Sequence, residues 1–200
     1  MKIYDVSQEV FGCRVYPGDP APEKRTLAAI AKGDCYNLTA FSMCAHNGTH
    51  IDAPAHFIPS GDTVDALSLS SMVGYATVVE HHGEITASDA ADILHRSATD
   101  NLEAARRILI KGDATVSEGA ARIFAQADLL LLGNESQTVG PEDAPMAVHQ
   151  ILLGAGVLLL EGIRLAAVPI GVYLLCAAPL CLGGADGAPC RALLLDMNDH

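Results

Sequence analysis

Twelve residues concentrate the chemistry of this chain: His46-Asn47-Gly48-Thr49-His50-Ile51-Asp52-Ala53-Pro54-Ala55-His56-Phe57. Neutral imidazole and carboxylate are the usual ligands of a divalent first-row metal. Residues 46, 50, 52 and 56 share parity, so a regular strand would turn all four to one face. That strand would also hold the Cα atoms of His46 and His50 roughly 13 Å apart, at about 3.3 Å per residue, too far to share one ion. A helical or turn-like path brings positions four apart to about 6 Å. The chain is therefore expected to turn at Gly48-Thr49, with His46 and His50 converging on one ion and Asp52 joining them. His56, beyond Pro54, is left as a spare. Lone histidines are ordinarily surface residues, but four ligand-type side chains in so short a run, punctuated by Gly-Thr and Pro, favour a metal site.

The pattern H-x-G-T-H-x-D-x-P-x-H-F resembles the signature of the metal-dependent cyclase-like hydrolases, a family that includes bacterial kynurenine formamidase and isatin hydrolase. The resemblance implies that His46, His50 and Asp52 bind the metal and that His56 is the general base. It extends over residues 3–195 and implies a swivelling β/β/α architecture. A stretch like Val15-Tyr16-Pro17-Gly18-Asp19 lies near the pocket in this family, which makes Tyr16 and Pro17 candidates for substrate contact. Read on its own, that stretch is a rigid turn.

A second cluster is less local. Glu161 directly follows the apolar run Val157–Leu160, and a glutamate there is costly to bury unless paired or metal-bound. His149 precedes it on a predicted helix. Family members with two metals use a His and a Glu at this spacing, ahead of a G-x-D-G-x-P-x-R ending like Gly184–Arg191, so the resemblance implies that His149 and Glu161 complete a second site with Asp52 as the bridge. Some relatives hold a single ion. Arg191 is expected to be structural.

The rest of the chain must position these groups. Its 200 residues suit one domain spanning 1–200, and half of them are hydrophobic. No uncharged apolar run is long enough to span a bilayer, and Met1–Asp5 lacks a signal-peptide core. The net charge of −12 without a basic patch argues against nucleic-acid binding. Six cysteines without C-x-x-C spacing read as reduced core thiols in a cytoplasmic protein. Strands are expected at residues 3–6, 37–44, 75–80, 108–110, 128–132, 157–160, 170–177 and 192–195. Thr86 or Ser88 should cap a helix to about His95, Ser117 a helix over 118–126, and Asp143 the helix carrying His149. His95 is expected as a helix C-terminal cation, His81-His82 as a solvated turn, Gly133–Ser136 as a polar strand edge able to line a site, and Gly183–Pro189 as a loop. Alternating β and α with buried central strands define a mixed α/β fold.

These readings converge on an enzyme that cleaves the C–N bond of an amide, an aryl formamide or a cyclic amide, with a metal-activated water. The donor set suits zinc and manganese alike. The alternative is a non-hydrolytic metal-binding protein, or a cyclase or isomerase of the same fold. His56 argues against a site that only binds. The family also implies a homodimer or homotetramer. One departure bears on the substrate: relatives carry a longer aromatic-rich segment where this chain has only residues 111–117, and it has no Trp at all.

Overall fold

The computed structural model describes residues 1–197. Thirteen strands run in chain order: β1 (Lys2–Asp5), β2 (Glu23–Ala28), β3 (Leu38–Ser42), β4 (His50–Asp52), β5 (Val73–Glu80), β6 (Gly83–Ile85), β7 (Arg107–Lys111), β8 (Ala114–Val116), β9 (Leu131–Asn134), β10 (Leu158–Glu161), β11 (Gly171–Cys176), β12 (Gly187–Pro189) and β13 (Leu193–Asp196). Three α-helices join them: α1 (Ala87–Asp100), α2 (Glu118–Ala125) and α3 (Met146–Gly154). Nine strands form one curled mixed sheet in the order β1-β13-β11-β5-β7-β9-β10-β4-β12. Its middle, β5-β7-β9-β10, is parallel, and antiparallel strands complete both edges. This is the mixed α/β fold expected from the alternation.

Strands β7, β9 and β10 are buried on both faces, which is why Ile108–Ile110, Leu131–Leu132 and Leu158–Leu160 read as short apolar runs, whereas β5 is buried only at its centre. Along β10, Leu159 faces a core shared with Phe124 of α2 and Leu152 of α3, while Leu158 and Leu160 face the opposite core with Tyr173 and Leu175 of β11. Such alternation is dictated by the pleat. Thr86 caps α1 in a reciprocal box with Asp89, and Ser117 caps α2.

Several expectations need correction. Helix α1 runs on to Asp100, so His95 is an exposed residue inside it rather than a terminal cation. Asp143 does not cap α3; Pro145 occupies that position without any side-chain cap. The strand over 37–44 does not feed the metal motif within the main sheet. It pairs with the unforeseen β2 as a separate two-stranded hairpin, largely exposed along both strands. The expected loop 183–189 contains β12, which pairs with β4. None of the six free cysteines is fully buried: Cys35 and Cys181 are exposed and the other four are half-buried. Burial still pushes the Cys190 thiol up to about 12.

Candidate metal centre

The motif turns where the spacing requires it. Asn47 accepts from the Cys44 amide through its side chain, and Gly48 takes a left-handed φ of +68°, a conformation glycine adopts at little cost. The turn is then clamped. Thr49 Oγ1 accepts from the Gln8 amide and donates to the Gly162 carbonyl, and Gln137 Nε2 donates to the Gly48 carbonyl. From His50 the chain is extended strand β4, so His50 and Asp52 share a face as parity predicts. In the antiparallel register His50 lies opposite Glu161 of β10 and opposite Pro189 of β12. Helix α3 brings His149 to the same point, with its ring nitrogen 3.1 Å from Glu161 Oε1.

The result is a buried cluster of two carboxylates and two imidazoles, Asp52, Glu161, His50 and His149, each at most 2% exposed. His46 joins it at the rim, its Nδ1 2.8 Å from Asp52 Oδ1. The outward nitrogens fix the tautomers. His50 Nδ1 lies 3.0 Å from the Gly48 carbonyl and His149 Nδ1 2.8 Å from the Pro145 carbonyl. A carbonyl only accepts, so both Nδ1 atoms donate, and each neutral ring turns the lone pair of Nε2 inward. There His50 Nε2 meets Asp52 at 3.3 Å and Glu161 at 3.4 Å, and His149 Nε2 meets Asp52 Oδ2 at 3.5 Å. Lone pairs aimed at carboxylates require a proton or a cation between them.

Without a cation, protons fill that role. Burial opposes the charged form of His50, but hydrogen bonds to Asp52 and Glu161 outweigh it and raise its pKa to about 10. His149 rises to about 9 against the same opposition, through Glu161. Burial would raise Asp52, yet His46 and His50 hold it well below the usual carboxylate range. Asp52 Oδ2 is nevertheless buried without a hydrogen bond, an open coordination position at the centre of the cluster. Two ligand triads, His46–His50–Asp52 and Asp52–His149–Glu161, each gather their donor atoms within 4.8 Å. These residues fit one or two divalent cations, with Asp52 common to both sites.

His56 sits on a short 3-10 turn opened by Pro54, its ring stacked on His46 at 3.9 Å between centroids. Its Nδ1 lies 3.1 Å from Asp186 Oδ2, which is also 2.9 Å from His46 Nε2. A third ligand-type group, His46–His56–Asp186, is thereby formed. Burial lowers the pKa of His56 despite the pull of Asp52 and Asp186.

These groups open into a cavity of about 500 Å³, which Tyr16, Phe57, Gln137, Thr138 and Pro145 also line. The Tyr16 hydroxyl donates to the Glu142 carbonyl at 2.5 Å. Pro17 is not among the lining residues. None of the expected polar edge Gly133–Ser136 lines the cavity: the Glu135 carboxylate turns away to accept from the Gly112 and Leu165 amides, and it is the next residues, Gln137 and Thr138, that reach the cavity. Arg191 pairs with Asp5 on an exposed surface. His82 is exposed and bonded to Asp113. The residues 111–117 lie outside the cavity lining. Two acidic residues that carried no expected site role, Asp186 of the G-x-D-G-x-P-x-R ending and Asp19, also line the cavity.

The chain belongs to the cyclase family: residues 4–137 match the Cyclase family model. It is 32% identical to a kynurenine formamidase of Salinibacter ruber, with all of both chains covered. Among solved structures it is similar to one described as a potential metal-dependent hydrolase with cyclase activity, at 30% identity and a TM-score of 0.81 over 99% of each chain. It also shares its fold with isatin hydrolase A of Labrenzia aggregata, at 21% identity and a TM-score of 0.78, covering 96% of this chain and 93% of that one.

Proposed function

We propose that this protein is a metal-dependent amide hydrolase acting on an aryl formamide, with N-formylkynurenine as the first substrate to try, or on a cyclic amide. The carrying observation is the convergence of inward lone pairs and two buried carboxylates on one point, beside a neutral histidine in an open cavity. Full-length similarity to a kynurenine formamidase supports the substrate class.

In this reading His46, His50 and Asp52 hold one ion, zinc or manganese, and Asp52, His149 and Glu161 hold a second. When bound, the cation supplies an acidified water near neutral pH and an electrophile for the carbonyl oxygen. The protein's own groups do the rest. With its pKa lowered by burial, His56 is neutral at pH 7 and able to accept the proton of the attacking water. Water oxygen joins the carbonyl carbon, the C–N bond breaks, and His56 returns its proton to the leaving nitrogen, giving an acid and an amine. Tyr16, Phe57 and Pro145 offer apolar walls to an aryl group, while Gln137 and Thr138 offer polar partners to the amide.

A homodimer or homotetramer is part of the proposal. Its support is the exposed apolar set on and beside the β2–β3 hairpin, Leu27, Ile30, Tyr36, Leu38 and Phe41. Six unpaired thiols favour the cytoplasm. Among the described residues no helix is long and apolar enough to cross a membrane.

The test is elemental analysis of purified protein, followed by a panel of N-formyl arylamines, cyclic amides and lactones. Metal near one or two ions per chain with turnover of at least one amide is expected. Stoichiometric metal with an inert amide panel would sink the hydrolase reading.

A further inference from the structure

Asp186 is brought to the site by strand pairing rather than by proximity in sequence. Strand β12 runs antiparallel to β4 with Gly187 opposite Asp52, and the Asp186 carbonyl accepts from the Ala53 amide at 3.0 Å. The approach is close because residue 187 is glycine. A Cβ there would stand 2.7 Å from His46 Cε1 and 2.8 Å from the Ile51 carbonyl oxygen. The Asp186 carboxylate, half-exposed, thus sits against the edges of two stacked imidazoles. One oxygen, Oδ2, reaches His46 Nε2 at 2.9 Å and His56 Nδ1 at 3.1 Å.

An ionised carboxylate only accepts hydrogen bonds. Both contacting nitrogens must therefore carry the proton. In a neutral ring the lone pair is then forced onto the other nitrogen, Nδ1 in His46 and Nε2 in His56. For His46 that is the nitrogen 2.8 Å from Asp52 Oδ1, on the side of the first triad. For His56 it is the nitrogen left over for proton transfer. A free neutral histidine favours the proton on Nε2, so in His56 the active form is the one that needs outside support. Metal-ligating histidines are commonly oriented by such a carboxylate behind them; here a single oxygen serves a ligand and its neighbour together.

We propose that Asp186 is a positioning residue that locks His46 and His56 into complementary tautomers, aiming one lone pair at the metal and leaving the other for the water. The proposal rests on the hydrolase reading for the role of His56, but the tautomers themselves do not.

The experiment is long-range proton–nitrogen NMR on zinc-loaded, ¹⁵N-histidine-labelled protein, with His56 signals assigned by their loss in His56→Ala. Wild type should show His56 with its proton on Nδ1. In Asp186→Ala, and in the isosteric Asp186→Asn whose amide can donate as well as accept, His56 should move to a mixture dominated by the Nε2–H form. Zinc affinity, read by chelator competition, should fall about 10–100-fold, the usual loss when the partner behind a metal ligand is removed. On N-formylkynurenine at saturating zinc, kcat should fall about 10–100-fold with little change in KM. His56 held on Nδ1–H in both variants, or on Nε2–H in wild type, would overturn the proposal. Because the spectra need no turnover, they decide the role of Asp186 even if wild type leaves every formamide intact, a result that would count against the hydrolase reading instead.

Discussion

The metal cleft and the β2–β3 hairpin invert the ordinary rule of burial in opposite ways. In the cleft, His50, Asp52, His149 and Glu161 are withdrawn from water although each can carry charge. On the hairpin, Phe41 is 58% and Leu38 45% exposed although each is apolar. A buried polar group and an exposed apolar patch are the informative departures from ordinary composition. In the cleft the missing partner is a cation, because lone pairs and carboxylates face one another. On the hairpin it is an apolar surface, in this reading a second copy of the chain. In the proposed reading the first region takes a metal and the second a neighbour, and each can be tested separately.

The largest expected effect is the loss of the shared carboxylate. Asp52→Ala should leave metal content near zero by elemental analysis and lower amide hydrolysis by about 10³-fold or more, since Lewis-acid stabilisation amounts to several kcal/mol. Full metal in this variant would remove Asp52 from the ligand set. His56→Ala should keep the metal and lose about 10²–10⁴ in kcat. Metal loss in that variant would instead make the His46–His56–Asp186 group a ligand set.

Chelation comes next. Metal held at 1,000 times its Kd contributes about 4 kcal/mol, so calorimetry should show Tm falling by roughly 8–16 °C for a chain of this size. An unchanged Tm would mean the cluster is satisfied without a cation. Metal-free protein should also become pH-sensitive. The raised values of His50, about 10, and His149, about 9, lie above the unfolded value near 6.5. Their contribution is therefore complete below about pH 6.5 and is lost as pH rises through 9 and 10. The Tm of chelated protein should decline across that window while the loaded protein stays flatter; parallel curves would contradict the proton-for-metal exchange. The smallest change in fold stability belongs to the hairpin. Phe41→Ser with Leu38→Ser should alter monomer stability by only about 0.5 kcal/mol each, yet convert an oligomer to monomer in sedimentation. Monomeric wild type at micromolar concentration would remove the neighbour from the comparison.

How legible each part was follows from the range of the interactions. The motif 46–56 could be read because its convergence is local: one glycine turn and one short strand fix the positions of His46, His50 and Asp52. His149 and Glu161 were visible as an oddity, a glutamate at the end of an apolar run. Asp186 was not, because only the pairing of β12 with β4 makes it a neighbour of His46. Strand β2 escaped notice for a related reason. Glu23-Lys24-Arg25-Thr26 shows no apolar alternation, since neither face of the hairpin packs on the core. The central strands were the easy part, because burial on both faces leaves a plain apolar signature. Asp143 looked like a cap by residue type, but Pro145 already occupies the cap position of α3.

The distance along the chain between His46 and Asp186, 140 residues, also sets a clock. A ribosome working at about 5–20 residues per second makes the His-rich turn roughly 7–28 s before it makes the carboxylate that backs it. During that interval no β12 exists to pair with β4, and Glu161 and His149 arrive only near its end. The local triad His46–His50–Asp52 is therefore synthesised well before the residues that complete the second triad, Asp52–His149–Glu161, and before Asp186. In the proposed two-ion reading, the full donor set and the carboxylate behind it come together only in the nearly finished chain.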